Sequence, residues 1–460
     1  MQLRTLPILL ILAAAPARAQ QPARADTVRL SLDDALGRAG TLGEEARLAR
    51  AQVDAAASQV MSARAAALPS LDGAFLYTRT YASPFQVKAS PEQAQDSTLA
   101  PIAKLFSNLP FGRVNQYTAS LTATQTLFSP RLGSALRIAN YYQSASRLGL
   151  REQLSETEYQ VRTAYAGAQL AADLEASARE AVTQATRFLE QERLRLSAGT
   201  GSELDVLRAE VSLENLKPQL LEAQNAAEVA TLNLKRLVNV PMTTPVVLTT
   251  PLAAPAAVAA ITADAATVTG ERSAVKAEEQ QVRIAKELVN QAIAAFIPAL
   301  DFRMSLGRIM YPQQVFSLTG RGWLTDWNAS VTMSIPIFSG FRRSADLSVA
   351  KVGLKAEQYK LAQLRESVQL QFQQALGERT RAAAAIAARQ RTVDQAQKVY
   401  DLTVLRYDQG LATHLEVSEA RLGLLMAKSN FAQAVAQYYI ADAGLQRALG
   451  ASSAALSTAR

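Results

Sequence analysis

The chain has 460 residues, of which 49% are hydrophobic, 19% charged and only 6% aromatic; its formal charge is +8 and it has no cysteine. The length suffices for two or three ordinary domains, and without cysteine neither a disulfide framework nor a lipid-modified cysteine is available. The basic excess forms no Lys/Arg block, so it reads as solvated helix faces and argues against a nucleic-acid partner.

Residues 1–19 have the pattern of a secretory signal. Arg4 supplies the positive n-region, Leu6 to Ala15 the apolar core and Ala17-Arg18-Ala19 the small-x-small site, with cleavage expected between Ala19 and Gln20. The apolar part is too short to span a bilayer as a helix. No later segment offers eighteen uncharged apolar residues, so helical spans are not expected; a β-barrel remains the route of an exported chain into a membrane.

A first repeat is expected over 20–240. Its opening helix runs from about Ser31 to Ala67 and stops at Leu68-Pro69, because proline disfavours helix in the residue before it. Strands follow at about 71–81 and 116–128, then a long helix over 130–196 and a return helix over 202–238. Residues 241–268, rich in Pro, Thr and Ala, read as a connector. The second repeat, 269–450, has the same order: a helix over 269–296 stopping at Ile297-Pro298, strands at about 300–311 and 327–338, a long helix over 341–407 and a return helix over 413–449. The small polar tail, 451–460, is expected to be mobile.

The strands are identified by period two. Trp327, Ala329, Val331, Met333, Ile335 and Ile337 alternate with Asn328, Ser330, Thr332 and Ser334, and Tyr117, Ala119, Leu121 and Ala123 alternate with hydroxyl residues. Such strands are half buried in a sandwich or face lipid on one side and water on the other. Runs of about 11 residues are the length that crosses a bilayer as a tilted strand. Tyr81, Tyr311, Trp323 and Trp327 flank them as an interfacial girdle would. The polar loop from Ser83 to Arg113 is longer than that from Pro312 to Asp326, and long loops suit an exterior face.

The return helices carry the clearest duplication. Val206, Ala209, Leu213, Leu216, Leu220, Ala223, Ala227, Ala230, Leu234 and Leu237 repeat at a constant offset as Val417, Ala420, Leu424, Ala427, Phe431, Ala434, Tyr438, Ala441, Leu445 and Ala448. This 3,4 spacing imposes left-handed packing of helices. Pro218 interrupts the first run where Ser429 stands in the second, and a local bend is expected there. The long helices before these runs could each reach about 100 Å at 1.5 Å per residue.

Each long helix ends in a glycine turn, around Gly199-Thr200-Gly201 and Gln409-Gly410-Leu411. Ser202 stands three before Asp205 and Thr413 three before Glu416, both capping-box spacings. These pairs read as helix caps, and the tips they close are the candidate functional site.

The order and spacing of these features resemble outer membrane efflux proteins of the TolC type. The resemblance rests on the duplicated order, the proline corners, the corners Leu127-Phe128-Ser129-Pro130 and Ile337-Phe338-Ser339-Gly340, and the tip motifs from Ala198 to Leu207 and from Gln409 to Ala420. It implies a mainly α fold with a membrane β-barrel: a homotrimer whose 12-stranded barrel is continued by a coiled-coil barrel of helices. It also implies contact with outer membrane lipid and docking to a periplasmic adaptor and an inner membrane pump, with the tips Gly199, Thr200, Gly410 and Leu411 meeting the adaptor. Asp205, Tyr407, Glu416 and Glu419 match the family's periplasmic gate, and a Tyr407–Asp205 hydrogen bond is expected. The family's gate arginine is replaced by Ala412, for which Arg208 is a candidate substitute. Glu416 reads equally well as a gate acid or as a helix-start carboxylate.

Oligomerisation also follows without the resemblance. Four strands cannot close a barrel, and an open edge cannot sit in lipid. Eight strands from two chains would give a filled barrel, and twelve from three would leave a lumen.

No cofactor and no enzymatic activity are expected. His414 is the only histidine and has no evident nucleophile beside it, and zinc ligands are lacking. Gly199-Thr200-Gly201 lacks the lysine and spacing of a phosphate loop, and Met304, Met310 and Met333 alternate as strand residues rather than as a metal site. The competing reading is an exported periplasmic coiled-coil scaffold without a pore. It accounts for the heptads but not for four bilayer-length alternating runs.

Overall fold

The computed structural model describes residues 27–81, 114–255, 264–312 and 322–450. The signal pattern, the tail and most of both interstrand loops lie outside the described residues. The opening helix of each repeat is two helices, not one. In the first repeat α1 (Leu32–Leu42) and α2 (Glu44–Ala65) meet at Gly43, whose backbone is extended at φ −61°, ψ 138°. In the second, α5 (Ala265–Glu271) and α6 (Ser273–Ala294) meet at Arg272, with φ −60° and ψ 126°. The break is therefore itself duplicated. Tertiary bonds override helix propensity at Arg272: its guanidinium donates to Glu152 at 2.6 Å and to the Ala448 carbonyl at 3.0 Å.

Four strands form one antiparallel sheet in the order β2 (Ser70–Arg79), β3 (Asn115–Phe128), β5 (Ala299–Met310), β6 (Leu324–Ser334). The register places apolar opposite apolar: Gly73, Leu121, Leu306 and Trp327 form one row, and Leu71, Ala123, Met304 and Ala329 another. Hydroxyls line the other face, where Thr122 and Ser305 approach to 3.4 Å. Every residue of β2 and β6 is exposed, Trp327 by 67%. The expected strand over 327–338 stops at Ser334. Pro336 has no N–H to donate, so pairing cannot continue through it.

The segment 241–268 is more than a connector. It holds β4 (Val246–Leu248), which pairs in parallel with β1 (Val28–Leu30). Beneath this two-stranded sheet Leu30, Leu36, Val161, Tyr165, Leu234 and Val238 form a core. The buried Tyr165 hydroxyl donates to the Leu30 carbonyl at 3.1 Å and accepts the Thr250 N–H at 2.9 Å, so it ties both strands to the helix beneath.

That helix is α3 (Pro130–Ser197), of 68 residues, which pairs with α4 (Glu203–Leu237); α7 (Arg342–Asp408), of 67 residues, pairs likewise with α8 (His414–Leu449). Pro130 opens α3, where its missing N–H costs nothing. None of the twenty heptad residues is exposed. Pro218 lies within α4 without ending it. Contacts of α3 with both α4 and α8 join the two hairpins side by side. No helix among the described residues is long and apolar enough to cross a membrane.

Candidate functional site

The tips are built by glycines in the left-handed conformation. Gly199 has φ 74° and Gly410 φ 73°. In the first turn the Arg195 carbonyl accepts the N–H groups of Thr200 and Gly201, both at 3.0 Å. In the second, Gly410 bonds back to Tyr407 at 2.9 Å and Leu411 to Arg406 at 2.8 Å. These reversed bonds satisfy the last carbonyls of each long helix. Thr200 adds a hydroxyl bond to the Arg195 carbonyl at 3.2 Å, and the Leu411 side chain is exposed.

The two helix starts differ. Thr413 and Glu416 form a complete capping box: the Glu416 carboxylate accepts the Thr413 N–H at 2.6 Å, and the Thr413 hydroxyl accepts the Glu416 N–H at 3.3 Å. The backbone and hydroxyl bonds from Thr413 hold the Glu416 carboxyl below its ordinary range. Ser202 makes only half a box, accepting from Leu204 at 3.2 Å. Asp205 faces Arg208 at 3.8 Å instead of reaching back to the cap.

Tyr407 is bonded, but not to Asp205 as expected. Its hydroxyl donates to Glu192 at 2.8 Å and accepts from Arg195 at 2.7 Å. Both partners stand one turn apart on α3, closer than Asp205, so they take both bonds of the hydroxyl. The Arg195 guanidinium also covers the Tyr407 ring at 4.8 Å. Burial and the Glu192 carboxylate push the Tyr407 hydroxyl up to about 12, so it remains a protonated donor. The cluster links the end of the first long helix to the end of the second. Glu192 itself is 2% exposed.

An aromatic layer lies beside it. Phe188 packs against the buried His414 ring at 4.5 Å and against Tyr407 at 6.2 Å, and Arg421 stands 5.9 Å over the Phe188 ring. Burial pulls His414 below its ordinary value; Glu192 and Asp205 oppose this, while Arg421 and Arg208 add to it. Burial likewise lowers Arg421. Phe188, Arg195, Tyr407 and Arg421 line a groove of about 470 Å³ between the hairpins.

The predicted gate residues are therefore spread over one end of the molecule. Tyr407 is in the interhairpin cluster, Asp205 is half-buried beside Arg208, and Glu416 and Glu419 are exposed on α8. Sequence reasoning missed Phe188, Glu192 and Arg195. A signal existed: the repeat offset that aligns Val206 with Val417 also aligns Arg195 with Arg406 and Leu196 with Tyr407. Tyrosine is thus an asymmetric addition beside a duplicated arginine.

The girdle aromatics gather at the loop end of the sheet. Tyr81 lies just beyond β2, with the Arg79 guanidinium 5.6 Å over its ring. Tyr311 follows β5, Trp323 precedes β6 and Trp327 lies within it. Tyr77 stacks on Tyr117 at 4.8 Å nearby. Among the described residues no group of three His, Cys, Asp or Glu side chains could hold a metal ion.

The family model described as outer membrane efflux protein matches residues 44–240 and 267–451 of this chain. The chain is 26% identical over 341 residues to the alkaline protease secretion protein AprF of Pseudomonas aeruginosa, covering 72% of this chain and 69% of that protein. It is 27% identical over 259 residues to the toluene efflux pump outer membrane protein TtgF of Pseudomonas putida, covering 55% and 52%. Its fold is similar to the Campylobacter jejuni CmeC outer membrane channel, with TM-score 0.74, 17% identity and coverage of 91% and 85%. It is also similar to the open state of the Neisseria gonorrhoeae MtrE outer membrane channel, with TM-score 0.70, 22% identity and coverage of 91% and 88%.

Proposed function

The chain belongs to the outer membrane efflux protein family, and from that premise we propose that three copies close a 12-stranded barrel continued by a tube of helical hairpins. The chain is an outer membrane efflux channel with a periplasmic helical extension, a transporter and not an enzyme. The sheet supports an oligomer, and the family resemblance supplies the number three. The sheet's edges β2 and β6 are unpaired, one face is apolar and exposed, and neither is tolerable for one chain alone in lipid or in water. A soluble scaffold would leave this face unused. Heat-modifiable migration of outer membrane extracts tests the reading: an oligomer that collapses to monomer on boiling supports it, and a soluble periplasmic monomer sinks it.

In this reading the tips are the periplasmic mouth. The Glu192–Tyr407–Arg195 link holds the two hairpins of one chain together in the closed state, supported by Asp205 and Arg208. Glu416 and Glu419, brought around the axis threefold, supply negative charge at the constriction. Gly199, Thr200, Gly410 and Leu411 present the turns to a periplasmic adaptor, through which an inner membrane pump supplies energy. AprF is named for protease secretion and TtgF for toluene efflux; here the pump and adaptor select the cargo, and the duct conducts it passively.

A further inference from the structure

We propose that the periplasmic edge of the barrel is a binding surface for anionic phospholipid headgroups, held by Arg131, Arg342 and Arg343. This inference rests on the barrel reading above. The strand ends that lead into α3 and α7 lie on the periplasmic side, because those helices form the periplasmic extension. There the apolar face of the sheet continues past the last paired residue: Ile337 is 92% exposed and Phe341 77%. Phe338 packs edge-on against Phe341 at 5.7 Å, and both rings are exposed. Gly340 and Phe341 are both left-handed, at φ 60° and 61°. A bulky residue rarely adopts that conformation, and here it presents an aromatic ring outward instead of burying it. Aromatic side chains at such a level mark the boundary between acyl chains and headgroups.

The charges at this level are inverted. The helices α1, α2, α4 and α8 begin with acidic residues, as the positive end of a helix dipole favours. Like α5 and α6, the two helices that begin at the membrane edge have no acid in their first turn. They carry Arg131, and Arg342 with Arg343, in its place. The three arginines line one cavity of about 780 Å³ with Ile335, Pro336 and a single carboxylate, Asp346. Arg343 donates to the Pro336 carbonyl at 3.1 Å, which keeps its head beside the apolar strand end. Three arginines therefore face a single carboxylate in this cavity. Cations that oppose two helix dipoles, outnumber the one carboxylate beside them and border an exposed apolar rim are complementary to a lipid phosphate whose chains lie on that rim.

The test uses the full-length oligomer purified into detergent and offered mixed phosphatidylglycerol and phosphatidylcholine, with retained lipid counted by mass spectrometry. The wild-type channel should retain phosphatidylglycerol preferentially, and each Arg→Gln change at 131, 342 or 343 should lower that preference about five-fold. Arg→Lys at the same positions should keep it. Equal retention of both lipids by the wild type, or an undiminished preference in the triple Gln variant, would overturn the site while leaving an inserted barrel intact. A triple Gln variant that fails to oligomerise in lipid-free detergent would also overturn it, since the arginines would then belong to the contact between subunits.

Discussion

Tyr407 stands at the centre of the tip cluster. Its hydroxyl is shared between a buried carboxylate and an arginine, and both bonds cross between hairpins. Removing it by Tyr407→Phe should weaken the closed tip by about 1–3 kcal/mol, because the buried Glu192 is left with only its long 3.5 Å contact to Arg195. Single-channel recording should show longer or more frequent openings in this variant and in Glu192→Gln. Unchanged gating in both would show that the link is only structural. Because the hydroxyl is protonated up to about 12, this contribution should hold below pH 10 and disappear between 10 and about 12. His414 predicts the opposite end of the scale. A closed tip that lowers its pKa favours the neutral ring, so its contribution is present above the ordinary value of 6.5 and is lost as pH falls below it. Conductance should therefore rise on acidification towards pH 5.5, and His414→Gln should flatten that dependence. Replacing Glu416 and Glu419 together with alanine should reduce cation selectivity; unchanged selectivity would remove the acidic ring from the account.

At the scale of elements, the proposed docking role of the turns can be separated from the packing of the helices. Gly199 and Gly410 sit where side chains are strained by roughly 1–2 kcal/mol, with open space beyond. Tryptophan at both positions should distort the turns while leaving the barrel, so export should fail with normal abundance in the outer membrane. Normal export would sink the docking role. Tyr165→Phe, far from the tips, leaves the Thr250 N–H without its partner, while the Leu30 carbonyl keeps the Thr249 N–H at 3.1 Å. It should cost about 1–3 kcal/mol in thermal unfolding with conductance unchanged. The long elements were legible because period and length agree: a heptad run ten positions long cannot be mistaken for a strand. The strands β1 and β4 were not, because three residues show no period. The breaks at Gly43 and Arg272 were hidden because only tertiary bonds and backbone angles make them. Glu192 and Arg195 look in sequence like any solvated pair on a long helix; only folding sets them against Tyr407, more than two hundred residues away.

At the scale of the whole molecule, duplication gives two near-equivalent hairpins, and they depart from one another at the tips. Both copies share the glycine turns, the corners and the packed heptads, yet only the second has the tyrosine and a full capping box at its tip. The exposed apolar sheet and its two free edges leave the single chain incomplete. In the proposed assembly three chains complete it. Native mass spectrometry of the detergent-extracted outer membrane oligomer tests this most directly. A species of three chain masses that conducts when reconstituted is the predicted result, and a monomer, a dimer or a soluble periplasmic rod would contradict it.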